Sequence, residues 1–343
     1  MSVEVRVADK EELERWNDFV DASPYGTIFH TLNWLKIVEK HTTSKLYPLI
    51  GLQGEKVIGL FPVFYKKRGP LRMVFSPPPK VAVPYLGYIP IQNHFLKQSK
   101  SESIYNNFIK QSDDFIQDIL APDYTLLNSS LGVEDTRQFK WAGYKVEPLY
   151  TYIIRLNNEK QLWEQFSKSL RRDINDAIKK HVCVKEGSKE DLYYIYDLMV
   201  QRYRDQNRVF PVSKEYFQNI CDLFYPKNIK VFVANIHEKT ISGIILVFYK
   251  DIIYFWTGLP MMTFQGIPIN NFVQWEVMKW ACQSDYKYYD LIGANTPRIC
   301  QFKSKYNPEL QIYFQIKKAT MLGTTAERLY LIQKKLKNPR GVQ

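Results

Sequence analysis

The sequence has no two cysteines placed to share a task. Cys183, Cys221, Cys282 and Cys300 stand apart, and none sits in a C-x-x-C pair. In a chain of 343 residues an even count of scattered thiols gives no disulfide framework and fits a reducing compartment. The five histidines are dispersed, so no cluster has metal-ligand spacing and no structural or catalytic metal is expected. Long apolar runs are also missing. The most apolar stretch, from Ile244 to Met262, is interrupted by Lys250-Asp251, short of the ~20 apolar residues a membrane span needs, and reads as two strands joined by a turn. The first ten residues, MSVEVRVADK, have no apolar core of the signal-peptide kind. A cytoplasmic location follows as an expectation, with peripheral contact to a membrane surface left open.

The common catalytic signatures are absent as well. The sequence contains no Gly-x-Ser-x-Gly, no P-loop and no Gly-x-Gly-x-x-Gly, which argues against serine hydrolases, P-loop NTPases and Rossmann dehydrogenases. What it does have is positive charge and aromatic mass. The 47 Lys and Arg outnumber the 35 Asp and Glu, a net charge of +12, and 24 Tyr and 20 Phe lie along the chain. Such an excess favours polyanionic partners such as nucleic acid, nucleotide phosphates or anionic lipid; spread along the chain as it is, it also serves solubility.

Length suggests two domains, and apolar residues at 45% suffice for two cores. Helical patterns cover Asp9–Val20, Leu32–Glu39, Glu102–Leu120, Trp163–Lys180, Asp191–Arg204, Lys214–Phe224, Asn270–Gln283 and Thr325–Lys337. Strand patterns flank turns at Gln53-Gly54-Glu55-Lys56 and through KVFVANIHEKTISGIILVFYKDIIYFWTG. The two hairpins resemble each other. EKVIGLFPVFYKK from Glu55 and EKTISGIILVFYKD from Glu238 match with one inserted residue, Ser242. A repeat at half the chain length points to a duplicated unit, although two amphipathic hairpins can also agree by chance. Helices, an antiparallel meander, then a helix and a strand is the element order of a GNAT acyltransferase unit. The fold class expected is therefore α/β (α+β): two tandem GNAT-like domains, each a mixed, mainly antiparallel sheet flanked by helices, at 1–150 and 151–320, with a basic helix and tail at 321–343.

Two segments carry candidate chemistry. In SLRRDINDAIKKHVCVKEG, Arg171, Arg172, Lys179 and Lys180 make a basic helix, and Arg172 and Lys179, seven apart, share a face. That face suits phosphates, or is a solvated charged surface. In YYDLIGANTPRICQFKSKYNPEL, a strand ending at Asp290 leads through Gly293 to Phe302-Lys303. A lysine at a reacting carbonyl stabilises developing oxyanion charge, and an aromatic beside it stacks on a base or ribose. The alternative is a core phenylalanine followed by a surface lysine. Where a GNAT enzyme places its Gly-rich pyrophosphate turn, this sequence reads Phe264-Gln265-Gly266-Ile267-Pro268-Ile269-Asn270-Asn271. One glycine and a proline cannot form the usual cradle of backbone N–H groups, so an altered donor site is expected.

The segments FHTLNWLKIVEK, RRDINDAIKKHVCVKEG, PINNFVQWEVMKWACQSDYKYYDLIG and QFKSKYNPEL, in this order, resemble the FemAB-like family of aminoacyl and peptidyl transferases. The resemblance covers most of the chain, best from about 150 to 316, with His181 where the family has Gly and Asn307-Pro308 in place of a Gly-rich end. It implies a tandem GNAT-like fold and transfer from aminoacyl-tRNA to an amine of a cell-envelope precursor. Phe302 and Lys303 would then meet the 3′ end of the donor, Lys303 steadying the tetrahedral intermediate. Lys36 and Arg171 or Arg172 would contact the acceptor's nucleotide- or lipid-linked pyrophosphate. An activated ester donor needs no cofactor, and a monomer is expected. The amine's proton would pass to substrate, water or a tyrosine such as Tyr254. The competing expectations are an acyl-CoA-dependent N-acyltransferase acting on an amino sugar or peptide, and an inactive module binding RNA or another polyanion.

Overall fold

A computed structural model describes residues 3–91, 97–259 and 263–337. The chain divides into two compact units, one formed by 1–149 with 312–343 and the other by 150–311.

In the first unit, strands Val3–Val7, Lys45–Gln53, Lys56–Arg68 and Leu71–Ser76 run antiparallel in that order. Leu71–Ser76 then pairs in parallel with Tyr124–Asn128, which pairs antiparallel with the end of Glu309–Ala319. A parallel step needs a long crossover, and helix Gln98–Asp114 supplies it. Phe108 of that helix lies on the facing pair Gly51 and Gly59, where an added Cβ would come within 2.3 and 2.9 Å of its ring. The two glycines let the helix settle onto the sheet, and Leu49, Phe61, Val74 and Ile109 close the core around them.

The second unit repeats this order. Cys183–Glu186, Ile229–Ile236, Lys239–Tyr249 and Ile252–Gly258 are antiparallel neighbours. Ile252–Gly258 pairs in parallel with Tyr288–Asp290 across the helix Ile269–Gln283, and Tyr288–Asp290 pairs antiparallel with the end of Lys145–Arg155. The apolar stretch around 250 is thus two strands, as the interruption at Lys250-Asp251 predicts, while residues 260–262 lie outside the described ones. Among the described residues, no helix is long and apolar enough to cross a membrane.

Both hairpins carry a bulge at the same point. Gly51 faces Gly59 while Leu52 faces Val57, leaving Ile58 over. Asn235 faces Thr240 while Ala234 faces Ser242, leaving Ile241 over. Aligned on their bulges, Ser242 occupies the place of Gly59, so it is not the inserted residue that letter matching suggests.

The structure differs from the sequence reading in three further places. The helix expected over Trp163–Lys180 is two, Glu159–Gln165 and Lys168–Lys179. Ser167 interrupts it by capping the second helix, its hydroxyl accepting from the Leu170 N–H at 3.2 Å, a bond that a serine in mid-helix cannot offer. The first helix likewise breaks at Arg15 into Lys10–Glu14 and Trp16–Ala22. The chain from 312 onward packs with the first unit rather than the second, because Gln315–Ala319 pairs with Tyr124–Asn128.

Candidate functional site

In the second unit, the parallel pairing of Ile252–Gly258 with Tyr288–Asp290 ends at Tyr254 opposite Asp290. Beyond that point the two chains separate. Ile252–Gly258 continues along Lys239–Tyr249 with a bulge at Trp256, since Ile245 faces Thr257 and Leu246 faces Phe255. The other chain turns away, the Leu291 N–H donating to Tyr152 O and the Ala294 N–H to Tyr150 O. The parallel pair thus parts in mid-sheet, and the residues that follow Asp290 are free to turn.

The turn that follows, Leu291-Ile292-Gly293, is held from two sides. Ile292 has φ +52° and Gly293 φ +82°. Left-handed backbone is easy for glycine but strained for a β-branched isoleucine. On the amide side, Asp290 Oδ1 accepts from the Ile292 N–H at 2.8 Å and from the Thr151 hydroxyl at 2.6 Å, whose oxygen accepts from the Gly293 N–H at 3.1 Å. On the carbonyl side is Lys303. Its Nζ donates to Leu291 O at 2.7 Å, to Ile292 O, and to Gly293 O at 3.0 Å. The ammonium thus directs its three hydrogens at three consecutive carbonyls. It also lies 6.0 Å from the centre of the Phe255 ring.

Lys303 closes the short helix Pro297–Lys303 and is only 7% exposed. This corrects the surface lysine of the alternative reading. Burial pushes its pKa down to about 8, opposed by the Asp290 carboxylate and then by Cys300. Phe302 is half-buried against the core of this unit, its ring edge-on to Tyr306 at 5.9 Å. Tyr254 is fully buried, and burial, reinforced by Asp290, raises its pKa well above the ordinary value. A phenol so placed holds its proton and suits a donor better than a base.

The basic helix Lys168–Lys179 buries Leu170, Ile174 and Ala177 and turns Arg172 and Lys179 outward, with Arg171 half-exposed. It is fastened near Lys303: the Ser167 N–H donates to Lys305 O at 2.9 Å, and Asp173 Oδ2 accepts from Asn271 Nδ2 at 2.9 Å. Lys36 is exposed on helix Leu32–Thr42 of the first unit. Lys303, Phe302 and Tyr254 therefore belong to one neighbourhood, and the basic helix borders it.

At the place of the expected pyrophosphate turn, Gln265 and Gly266, both with positive φ, link the two-residue strands Thr263–Phe264 and Ile267–Pro268. The following helix spends its first polar side chains inward. Asn270 accepts from the Ser242 hydroxyl at 2.7 Å and donates to Leu259 O, and Asn271 accepts from the Tyr306 hydroxyl at 3.0 Å.

Sequence reasoning missed Thr151, gave Ser242, Asn270 and Asn271 no hydrogen-bonding role, and saw Asp290 only as the end of a strand. An aspartate closing the apolar run Tyr288–Asp290 is a usable signal, because a carboxylate buried there must find donors. It missed Arg202 too, whose buried Nε has no partner among the described residues. A surface depression of about 940 Å³ on this unit reaches the turn of 263–268 at Phe264 and is otherwise lined by Asp191, Tyr194 and the turn at His237-Glu238-Lys239; Lys303, Phe302, Tyr254 and Asp290 do not line it.

A family model described as an acetyltransferase (GNAT) domain matches residues 165–304, which takes in the point where the strands part and ends just past Lys303. A UDP-N-acetylmuramoylpentapeptide-lysine N(6)-alanyltransferase of Weissella viridescens is 22% identical over 312 residues, covering 84% of this chain and 86% of the relative. Among solved structures, FemX aligns with a TM-score of 0.67 at 15% identity, over 91% of this chain and 96% of the other. A tandem GNAT protein from the clavulanic acid biosynthesis pathway aligns with a TM-score of 0.51 at 8% identity, over 92% and 98%. These structural likenesses speak to the fold, which is the expected pair of GNAT-like units.

Proposed function

We propose that this protein, two GNAT-like units similar to FemAB-like transferases, joins an amino acid from aminoacyl-tRNA to an amine of a peptidoglycan precursor. The acceptor class rests on the Weissella relative, whose name specifies a lysine N6 of a UDP-linked muramoyl pentapeptide. The observation that carries the chemistry is Lys303, a buried ammonium at the point where two strands part.

In this reading the acceptor amine attacks the ester carbonyl of the donor. A C–N bond forms, the C–O bond to the ribose breaks, and the amine's proton leaves with the ribose oxygen by way of water or substrate. The tetrahedral intermediate carries an oxyanion. Lys303 meets it by exchanging one carbonyl partner for a full negative charge, an interaction that exists only as that charge develops. Tyr254, held protonated, takes no proton. Phe302 offers the exposed part of its ring to the terminal adenosine, and Arg171 or Arg172 engages phosphates, as Lys36 does on the first unit.

A CoA-dependent reaction is the second reading, favoured by the acetyltransferase description of the matched domain. Against it stands the segment 263–268, where a two-stranded turn replaces a phosphate cradle. The test offers the purified protein UDP-linked muramoyl pentapeptide with a charged tRNA mixture bearing labelled amino acids, and in parallel titrates acetyl-CoA by calorimetry. Label transferred to the pentapeptide with weak or absent CoA binding is the expected result. No transfer from any aminoacyl-tRNA, together with low-micromolar acetyl-CoA affinity, would replace this reading with the second.

A further inference from the structure

We propose that the helix Met321–Lys337 docks on an anionic lipid surface, lying in the plane of the headgroups. The inference is independent of the transfer reaction and rests on the first unit alone.

The first half of the helix is fastened along one side, through Gly323 and Glu327. Gly323 lies so close to Asp123 that an added Cβ would meet its carbonyl oxygen at 1.9 Å. Glu327 accepts from Lys317 Nζ at 3.0 Å and from the Tyr124 hydroxyl at 2.8 Å. At 100° per residue, positions 322, 325, 329 and 332 fall on the opposite side. There Leu322 is 46%, Leu329 58% and Ile332 54% exposed, and Met321 at the edge of the stripe is 90% exposed. The polar member of the stripe, Thr325, returns its hydroxyl to Met321 O at 2.9 Å, so it offers little to water. Leu336 continues the same spacing in the sequence. From Arg328 to Gln333 every residue of the helix is exposed, Tyr330 at 54% and Leu331 at 47% among them, so beyond Glu327 the stripe is set by helical spacing and stands uncovered.

Charge selects what covers it. Within the helix Arg328, Lys334, Lys335 and Lys337 stand against one acid, Glu327, and that acid is already paired with Lys317. An apolar stripe in a cationic helix is the composition of a segment that lies at a lipid interface, its apolar side among the acyl chains and its cations at anionic headgroups. A second copy fits worse, because both helices would bring the same excess of basic over acidic residues to the contact. Basic groups near an anionic surface add to the binding, so anionic vesicles should bind at least about tenfold more tightly than neutral ones.

The experiment is co-sedimentation of the full chain with vesicles of phosphatidylcholine alone, and of phosphatidylcholine mixed with phosphatidylglycerol, at low and high salt. Binding to the mixed vesicles that salt weakens is expected. The pair Leu329→Asp with Ile332→Asp should lower it about tenfold or more, and Arg328→Glu should lower it less. Melting temperature is followed in parallel; should the aspartate pair melt early, Leu329→Ser with Ile332→Ser replaces it. Failure to bind mixed vesicles, or equal binding to both kinds, overturns the proposal. So does a wild-type dimer, seen by sedimentation equilibrium, that the double variant dissolves while vesicles remain unbound.

Discussion

At the scale of single residues, Lys303 combines two demands that usually fall on different groups. It supports a strained turn, and it is a buried cation near the point where two strands part. Lys303→Met keeps the bulk and removes the charge, leaving three carbonyls without their donor. A stability loss of roughly 2–4 kcal/mol is expected, since unsatisfied buried acceptors cost about 1–3 kcal/mol each and the turn can partly relax toward water. Chemical denaturation measures it, and an unchanged midpoint would mean the turn does not depend on the lysine. The pH dependence has a definite sign. The folded pKa, about 8, lies below the ordinary 10.5. Between these values the unfolded chain binds more protons than the folded one, so this group's contribution to stability rises as pH climbs through the window. Wild type should therefore gain on Lys303→Met from pH 8 to pH 10.5. Transfer activity should move the opposite way, failing as the ammonium deprotonates above about pH 8. Asp290→Asn removes the carboxylate that favours the ammonium, while its remaining oxygen can still accept from the Ile292 N–H. The falling limb of the rate profile should then shift to lower pH; a profile that loses amplitude without shifting would give Asp290 a purely structural role.

Single elements show where the sequence could be read and where it could not. The hairpins were legible because a period of two and a turn of Gly or charged residues are local signals. The bulges at Ile58 and Ile241 were not, because they appear only when one strand is laid against its neighbour. Phe302-Lys303 stood out in the sequence, yet the burial of Lys303 could not be read from it. Three carbonyls ten to twelve residues upstream decide that, and nothing in QFKSKYNPEL records them. The basic helix Lys168–Lys179 offers a test at this scale. Arg172 and Lys179 point outward, so Arg172→Glu with Lys179→Glu should leave melting unchanged. If this face meets tRNA phosphates, binding should weaken and the slope of log affinity against log salt should flatten by about two contacts' worth. Equal slopes for wild type and variant would mark a solvated surface.

Over the whole molecule the duplicated order of strands was foreseen from one repeated hairpin, but the division of the chain was not. A boundary drawn near 150 and another near 320 treats the units as successive. The contacts instead make 150–311 a continuous unit set within a discontinuous one, because the last strand of the first unit is supplied from Glu309–Ala319. Pairing between strands nearly two hundred residues apart leaves no trace in local periodicity. The parting of the central strands belongs to the same topology, since the parallel pair extends over only three residues, Ile252–Tyr254 with Tyr288–Asp290.

That nesting sets an order of events during synthesis. The ribosome makes most of the first unit first, yet its sheet lacks an edge until the chain past Gln315 has emerged, whereas every strand of the second unit is already out by then. The half made first is thus completed last, and in the interval it carries the open edge of Tyr124–Asn128, the kind of edge that invites pairing with a neighbouring chain. Nascent chains arrested with residue 311 just outside the exit tunnel should therefore resist protease across 150–311 and be cut within 1–149. Protection of both regions at that length would mean that the first unit's fold does not wait for its final strand.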